Sequence, residues 1–287
     1  MSHRLSLGRL SAAAKEILIL TLLLLISPLS MATLIIGIYN NGTVYLASDS
    51  QMMARESNDT NATLRVRKVF PISDTYCVTI ANNYGGHIED PITIQRSILL
   101  FPTELAIMCS NAHSAKRPIQ SRIASLVADF DVRYSEYIQK KVPKTRGGKD
   151  VATLLSFWGY DDSRKAFICY SYYFEETNQL PRESTFLVRG TNHIGGAIAL
   201  EGEARFLPAV IGAKDGPLAQ LKSAELGTFF EAIIAEVPIA ESHMTNCIVQ
   251  MFELQRKYAA AYSTDKGWVG EPYMIYRLTT NKFVRLR

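Results

Sequence analysis

The sequence predicts an α+β layered sandwich, two antiparallel sheets packed together with helices grouped on the outside. Three observations predict it. The hydrophobic patterning runs in the order strands, helices, strands, helices, strands. Short turn signals join consecutive strand-like runs, which is how antiparallel neighbours are connected. Of the 287 residues, 47% are apolar and only 20% charged, enough to bury a sizeable core in one domain. The same balance, with a net charge of only +4, excludes a disordered chain, a collagen-like repeat and a polytopic membrane protein, and it is too mild for a nucleic-acid binder.

The first 32 residues stand apart. Arg4, Arg9 and Lys15 precede an apolar run from Ile17 to Ile26, followed by Ser27, Pro28, Leu29, Ser30, Met31 and Ala32. That is the shape of a secretory signal peptide, and the small residues Ser30 and Ala32 favour scission between Ala32 and Thr33. The expected organisation is therefore a leader over 1–32 and one domain over 33–287, secreted or periplasmic, with no membrane attachment once the leader is cut. Three of the 31 basic and one of the 27 acidic residues lie in the leader, so the remainder carries a net charge of only +2. Two other readings stand beside cleavage. The uncharged stretch from Ile17 to Ile38 is long enough to span a bilayer as an uncut anchor, and Met31 as the true start would leave a cytoplasmic protein.

The elements follow in order. Thr33 to Tyr39 and Thr43 to Ser48 are β-rich runs joined by Asn40-Asn41-Gly42, a hairpin signal. Val66 to Ile72 and Thr75 to Ala81 flank the turn residues Ser73 and Asp74, and a polar loop from Arg55 to Thr63 separates the two hairpins. Pro91 to Leu100 reads as helical. A stronger helix spans Pro118 to Lys141, with Ile119, Ile123, Leu126, Val127, Phe130, Tyr134, Tyr137 and Ile138 at helical spacing as a core-facing stripe. The basic segment Lys140 to Lys149, broken by Gly147 and Gly148, reads as a solvated turn. Strands over Val151 to Tyr160 and Lys165 to Tyr173 straddle the turn Asp161-Asp162-Ser163, and another runs near Thr185 to Arg189. Helices dominate from Ala204, notably Ala224 to Ala235 and Ala240 to Tyr258, before closing strands at Tyr273 to Leu278 and Lys282 to Leu286.

The four cysteines, Cys77, Cys109, Cys169 and Cys247, show neither a CxxC pair nor a metal-ligand spacing. Cys77 and Cys169 fall in strand-like apolar runs and read as small buried side chains. Export would permit one or two disulfides without requiring them. Asn41, Asn58 and Asn61 head glycosylation sequons, which matter only where that machinery exists.

One ordered set of residues carries chemistry. Thr33 heads the first strand, Ala47-Ser48-Asp49-Ser50 ends the second, Lys68-Val69-Phe70-Pro71-Ile72 opens the third, and Leu154 to Asp161 ends in Gly159-Tyr160-Asp161. In this the chain resembles the proteasome β-subunit family of N-terminal nucleophile (Ntn) hydrolases, best over Thr33 to Gly86, less so around Val151 to Tyr170 and faintly beyond. The resemblance implies a four-layer αββα sandwich, two antiparallel sheets flanked by helices, and a threonine-type peptidase or amidohydrolase. Many members remove a propeptide themselves, which would free the same Thr33. The family forms stacked rings, so the resemblance also implies a homo-oligomer.

The chemistry explains the residue types. A threonine hydroxyl is a weak nucleophile unless a base takes its proton, and the free α-amine of a first residue, titrating near pH ~8, can be that base. Only a cut before Thr33 creates it. A nearby lysine stabilises developing negative charge, and a buried carboxylate fixes the lysine. The resemblance assigns these roles to Lys68 and Asp49, and the step needs no metal or cofactor. By the same alignment Asn82 stands where the family has the glycine of the oxyanion hole, Asp265 matches a supporting aspartate, and Gly195-Gly196-Ala197 lies near a Ser-Gly-Ser stretch without its serines. Met52, Val66, Ile80 and Tyr84 would line the first subsite and favour uncharged side chains of a peptide or amide substrate. The departures at Asn82 and Gly195 leave a second reading open, a catalytically inactive proteasome-fold scaffold or assembly protein.

Overall fold

In a computed structural model, the structure describes residues 34–55, 61–82, 84–141, 152–174, 182–190, 197–202, 207, 210, 220–262 and 269–287. The leader, Thr33, the sequon at Asn58, the segment 142–150, Gly195, Gly196 and Asp265 lie outside them.

The chain starts with β1 (Leu34–Asn40) and β2 (Thr43–Ser48), paired antiparallel with Asn40 opposite Thr43. Asn41 and Gly42 close this two-residue turn with φ of 46° and 72°. That left-handed pair matches the twist of the strands, and Asn and Gly are the residues that adopt it at least cost. After β3 (Gln51–Arg55) and β4 (Asn61–Arg65) come β5 (Val69–Ser73) and β6 (Tyr76–Asn82), then β7 (Gly85–Glu89) and β8 (Arg96–Leu100). Two helices, α1 (Phe101–Ser114) and α2 (Ile119–Lys140), lead to β9 (Thr153–Asp161), β10 (Ala166–Phe174), β11 (Arg182–Gly190) and β12 (Ala197–Gly202). Helices α3 (Ala224–Ile234) and α4 (Glu241–Tyr262) precede β13 (Met274–Leu278) and β14 (Phe283–Arg285). No helix among the described residues is long and apolar enough to cross a membrane.

Two five-stranded sheets result, in the orders β12-β1-β2-β13-β14 and β11-β10-β9-β6-β5. Every pairing in both is antiparallel. The α+β class with two antiparallel sheets is therefore as the sequence predicts.

Strand alternation sorts the core. All seven residues of β1 are buried. Leu34, Ile36 and Ile38 face α3 and α4, joining Leu226, Phe229, Phe230, Ile248 and Phe252. The opposite face of the same strand supplies Tyr39, which packs with Trp158, Phe167 and Cys169 of the other sheet. That second sheet turns Val78, Ile80, Leu155 and Phe157 toward α1 and α2, where they meet Phe101, Leu105, Phe130, Tyr134 and Tyr137. Close contact between the sheets needs glycine at position 37, since a Cβ there would stand 2.6 Å from Cη2 of Trp158. Trp158 is held in turn by donating its indole N–H to the Thr79 hydroxyl, 3.1 Å away.

The structure departs from the sequence reading at several places. Residues 91–100 are a turn and strand β8, not a helix. Asp90 accepts at 2.9 Å from the N–H groups of both Ile92 and Thr93, and Ile94 takes φ of 56°, so the Asp90-Pro91 start closes a hairpin rather than capping a helix. The helix begins ten residues later at Phe101, with Pro102 in its first turn. The polar segment 55–63 is flanked by a two-stranded ribbon, β3 with β4, that takes in Arg55 and Asn61 to Thr63. Finally β12 supplies the outer neighbour of β1, a strand the sequence reading does not contain. All four cysteines are buried thiols, as read for Cys77 and Cys169.

Candidate functional site

The site begins where β1 and β2 leave their ladder. Ile35 stands opposite Ser48, so the next pair outward is Leu34 with Asp49. Asp49 donates its N–H to the Leu34 carbonyl at 3.4 Å, while its side chain folds back so that Oδ1 accepts from the Leu34 N–H at 3.0 Å. Both ends of the Asp49 residue thus grip the first described residue of β1, the one directly after Thr33 in the chain. The two-residue hairpin turn makes this possible by fixing the register over the whole length of β1.

Lys68 arrives from the other sheet. Its carbonyl accepts from the Ile80 N–H at 3.0 Å, extending the β5–β6 ladder one residue beyond Val69. A second tie, from the Val66 N–H to the Ser50 carbonyl at 2.7 Å, joins the segment before β5 to the segment after β2. With both backbones fixed, Lys68 Nζ donates to Asp49 Oδ1 at 2.9 Å, and neither side chain has any exposed surface. Nζ also lies 5.3 Å from the centroid of the Tyr84 ring, within cation–π range. Burial pushes the Lys68 ammonium below the usual lysine range, and the Asp49 carboxylate opposes that shift. A buried cation with an adjacent carboxylate is a source of fixed positive charge and, in a low dielectric, acts strongly on any charge that forms beside it.

The other predicted residues divide. Asn82 ends β6 opposite Thr153 with φ of 72°. Glycine is the default in that left-handed conformation and asparagine one of the few other residues that accept it, so the side chain is reconciled with a glycine-like backbone. Ile80 and Tyr84 are buried in the cluster beneath α1 and α2, and Val66 is half-buried against it. Met52 sits in β3 opposite Leu64, its side chain outside the described residues. The structure therefore brings together Asp49, Lys68 and Tyr84, with Asn82 two residues from Tyr84 in the chain. Sequence reasoning missed Tyr84 as a neighbour of Lys68, because that proximity depends on how β6 leaves its sheet. Ser50 is also buried, and its hydroxyl finds no partner among the described residues.

A second grouping lies on α3 and α4. Glu225, His243 and Cys247 place their ligand atoms within 4.8 Å of one another. Burial, then the Glu225 carboxylate, push the Cys247 thiol up to about 12. The cysteine pattern by itself carries no metal-ligand spacing, and this grouping draws only one of its members from it. His243 and Cys247 are four apart on one helix, a spacing the sequence already contained, whereas Glu225 comes from a neighbouring helix that no spacing rule could reach.

Compared with known proteins, the chain matches no family model and no curated protein.

Proposed function

We propose that the chain is an N-terminal threonine hydrolase of the proteasome β-subunit-like class, built as a four-layer αββα sandwich and cleaving peptide or other amide bonds through a Thr33 acyl-enzyme. The observation that carries the reading is the buried Lys68–Asp49 pair, tied by Asp49 to the N–H of Leu34. Covalent connectivity sets Thr33 one peptide from that N–H. The core clusters support the layering, since each sheet packs one face on helices and the other on its partner sheet.

In this mechanism the Thr33 hydroxyl attacks the scissile carbonyl while the Thr33 α-amine takes its proton. The oxygen that gains charge is met by a backbone N–H at Asn82. The amine then returns the proton to the leaving nitrogen, and water, deprotonated by the same amine, hydrolyses the ester. Lys68 supplies positive charge beside the nucleophile throughout, and Asp49 holds Lys68 in place. Val66, with Tyr84 and Ile80 behind it, gives an apolar first subsite, so uncharged side chains should be preferred. A fluorogenic peptide panel cleaved only after basic residues would contradict that preference.

The test starts with the N-terminus of protein recovered from its native host, read by intact-mass and terminal-peptide mass spectrometry. A chain starting at Thr33 that forms a one-to-one adduct with a threonine-directed covalent inhibitor, lost in Thr33→Ala, is the expected result. A chain starting elsewhere, or one that starts at Thr33 and forms no adduct, overturns the reading. Those outcomes would favour a scaffold, the reading that Asn82 and Gly195-Gly196-Ala197 in place of serines leave open.

A further inference from the structure

The grouping at the start of α3 and α4 has the features of a coordination site. Glu225 Oε1 and His243 Nδ1 are 3.3 Å apart, and Cys247 Sγ is 4.0 Å from Nδ1 and 3.8 Å from Nε2 of the same ring. As direct bonds these distances are poor. A charge-assisted N–H···O contact closes to about 2.7–2.9 Å. They correspond far better to the edges of a tetrahedron around a shared ion. With Zn–N and Zn–O near ~2.1 Å and Zn–S near ~2.3 Å, neighbouring ligand atoms stand about 3.4–3.6 Å apart. The Glu225–His243 edge already fits, and the sulfur, within 4.8 Å of the other ligand atoms, needs to close in by up to about an ångström.

The surroundings orient these donors. The other oxygen of Glu225 accepts from the Gln250 side-chain amide, and the Gln250 oxygen accepts from the Ser223 hydroxyl at 2.8 Å. Ser223 is itself fixed as the N-cap of α3, accepting from the Leu226 N–H at 3.1 Å. The edge of His243 packs against Phe229, with ring centroids 6.2 Å apart. Outer partners of this kind hold ligands in place at metal centres. Cys247 is fully buried while Glu225 and His243 keep about two-fifths of their side chains exposed, so the fourth position faces solvent.

We propose that Glu225, His243 and Cys247 form a zinc-class divalent cation site that clamps α3 to α4. The mixed sulfur, nitrogen and oxygen set selects a borderline cation and disfavours calcium and magnesium, which take oxygen ligands. On binding, the Cys247 S–H bond breaks, its proton passes to solvent, and the sulfur lone pair forms the metal bond. No residue is shared with Asp49 and Lys68, so this site and the hydrolase reading can fail independently.

The probe is Co²⁺ added to the purified full chain, followed by its visible and near-ultraviolet absorption, with Zn²⁺ as competitor. The expected result is one-to-one binding with a thiolate-to-cobalt charge-transfer band that Zn²⁺ removes. Cys247→Ser should abolish that band, and His243→Gln, at a partly exposed position, should weaken binding by at least about 100-fold, the upper end of what loss of an outer partner costs. A wild-type chain without the band, a band that survives in Cys247→Ser, or unchanged affinity in His243→Gln overturns the proposal. Should the buried Cys247→Ser fail to fold, His243→Gln decides alone.

Discussion

Removing one charge of the Asp49–Lys68 pair should cost far more than removing both. At 2.9 Å and an effective dielectric of ~20, the two charges attract by about 6 kcal/mol. Taking each out of water costs several kcal/mol, so the intact pair nearly balances. Asp49→Asn keeps an oxygen for the Leu34 N–H yet removes the Asp49 charge from beside the Lys68 ammonium, and Lys68→Met keeps the volume yet removes the cation from beside the carboxylate. Each single variant should lose about 3–5 kcal/mol, a large part of a typical domain stability of about 5–15 kcal/mol. The double variant buries no charge and should recover most of that loss. Urea unfolding of the four proteins, with midpoints and slopes compared, measures the coupling directly. Singles within about 0.5 kcal/mol of wild type, or a double variant whose loss is the sum of the singles, would refute the buried pair as described.

Three further outcomes follow from other parts of the molecule. Because burial lowers the Lys68 pKa below its unfolded value, the unfolded chain binds more protons between the two. Stability should therefore rise with pH across that window, and the proposed hydrolysis should fall as the cation is lost. Denaturation midpoints across alkaline pH, in wild type and Lys68→Met, would show the rise only in the former. Gly37→Ala drives a Cβ into Trp158 and should destabilise by about 1–3 kcal/mol, whereas Gly227→Ala, with open space around it in α3, should stabilise by about 0.5–1 kcal/mol. Thermal unfolding of the pair gives opposite signs if the inter-sheet contact is as tight as the glycine implies. Ser223→Ala removes the N-cap bond to Leu226 and should cost about 1 kcal/mol by the same measurement.

Local signals were the legible ones. Asn41-Gly42 and Asp161-Asp162-Ser163 declare their turns because the geometry is set within a few residues. In the second, Asp161 Oδ1 accepts from the Ser163 N–H at 2.8 Å, as an aspartate opening a turn should. Asp90-Pro91 misleads for the same reason, since a side-chain acceptor followed by proline suits both a helix start and a hairpin bend. What decides between them is whether β7 is there to pair with β8, a fact outside the local window. The pairing of β1 with β12 is further still from reach, because its partners are separated by some 160 residues and β12 has only six. At the site, the residue types and order of Asp49 and Lys68 were visible. Their shared oxygen, the grip on Leu34 and the ring of Tyr84 over the ammonium depend on two sheets meeting at one end.

That meeting also bears on why the pair is charged at all. A buried lysine and aspartate in this setting contribute little net stability, and apolar residues of similar volume would serve the core as well or better. Ile35, Ala81 and Leu154, which pack together between the sheets, show that this region can be filled by apolar side chains. If stability were the reason for the pair, the double variant should be weaker than wild type by several kcal/mol and any activity should track the folded fraction. If the cation is there to act on a neighbour, the double variant should stay folded and lose hydrolysis completely, with no inhibitor adduct at Thr33. Measuring adduct formation and urea midpoint on the same sample separates these two explanations, because the first ties both quantities together and the second sets them apart.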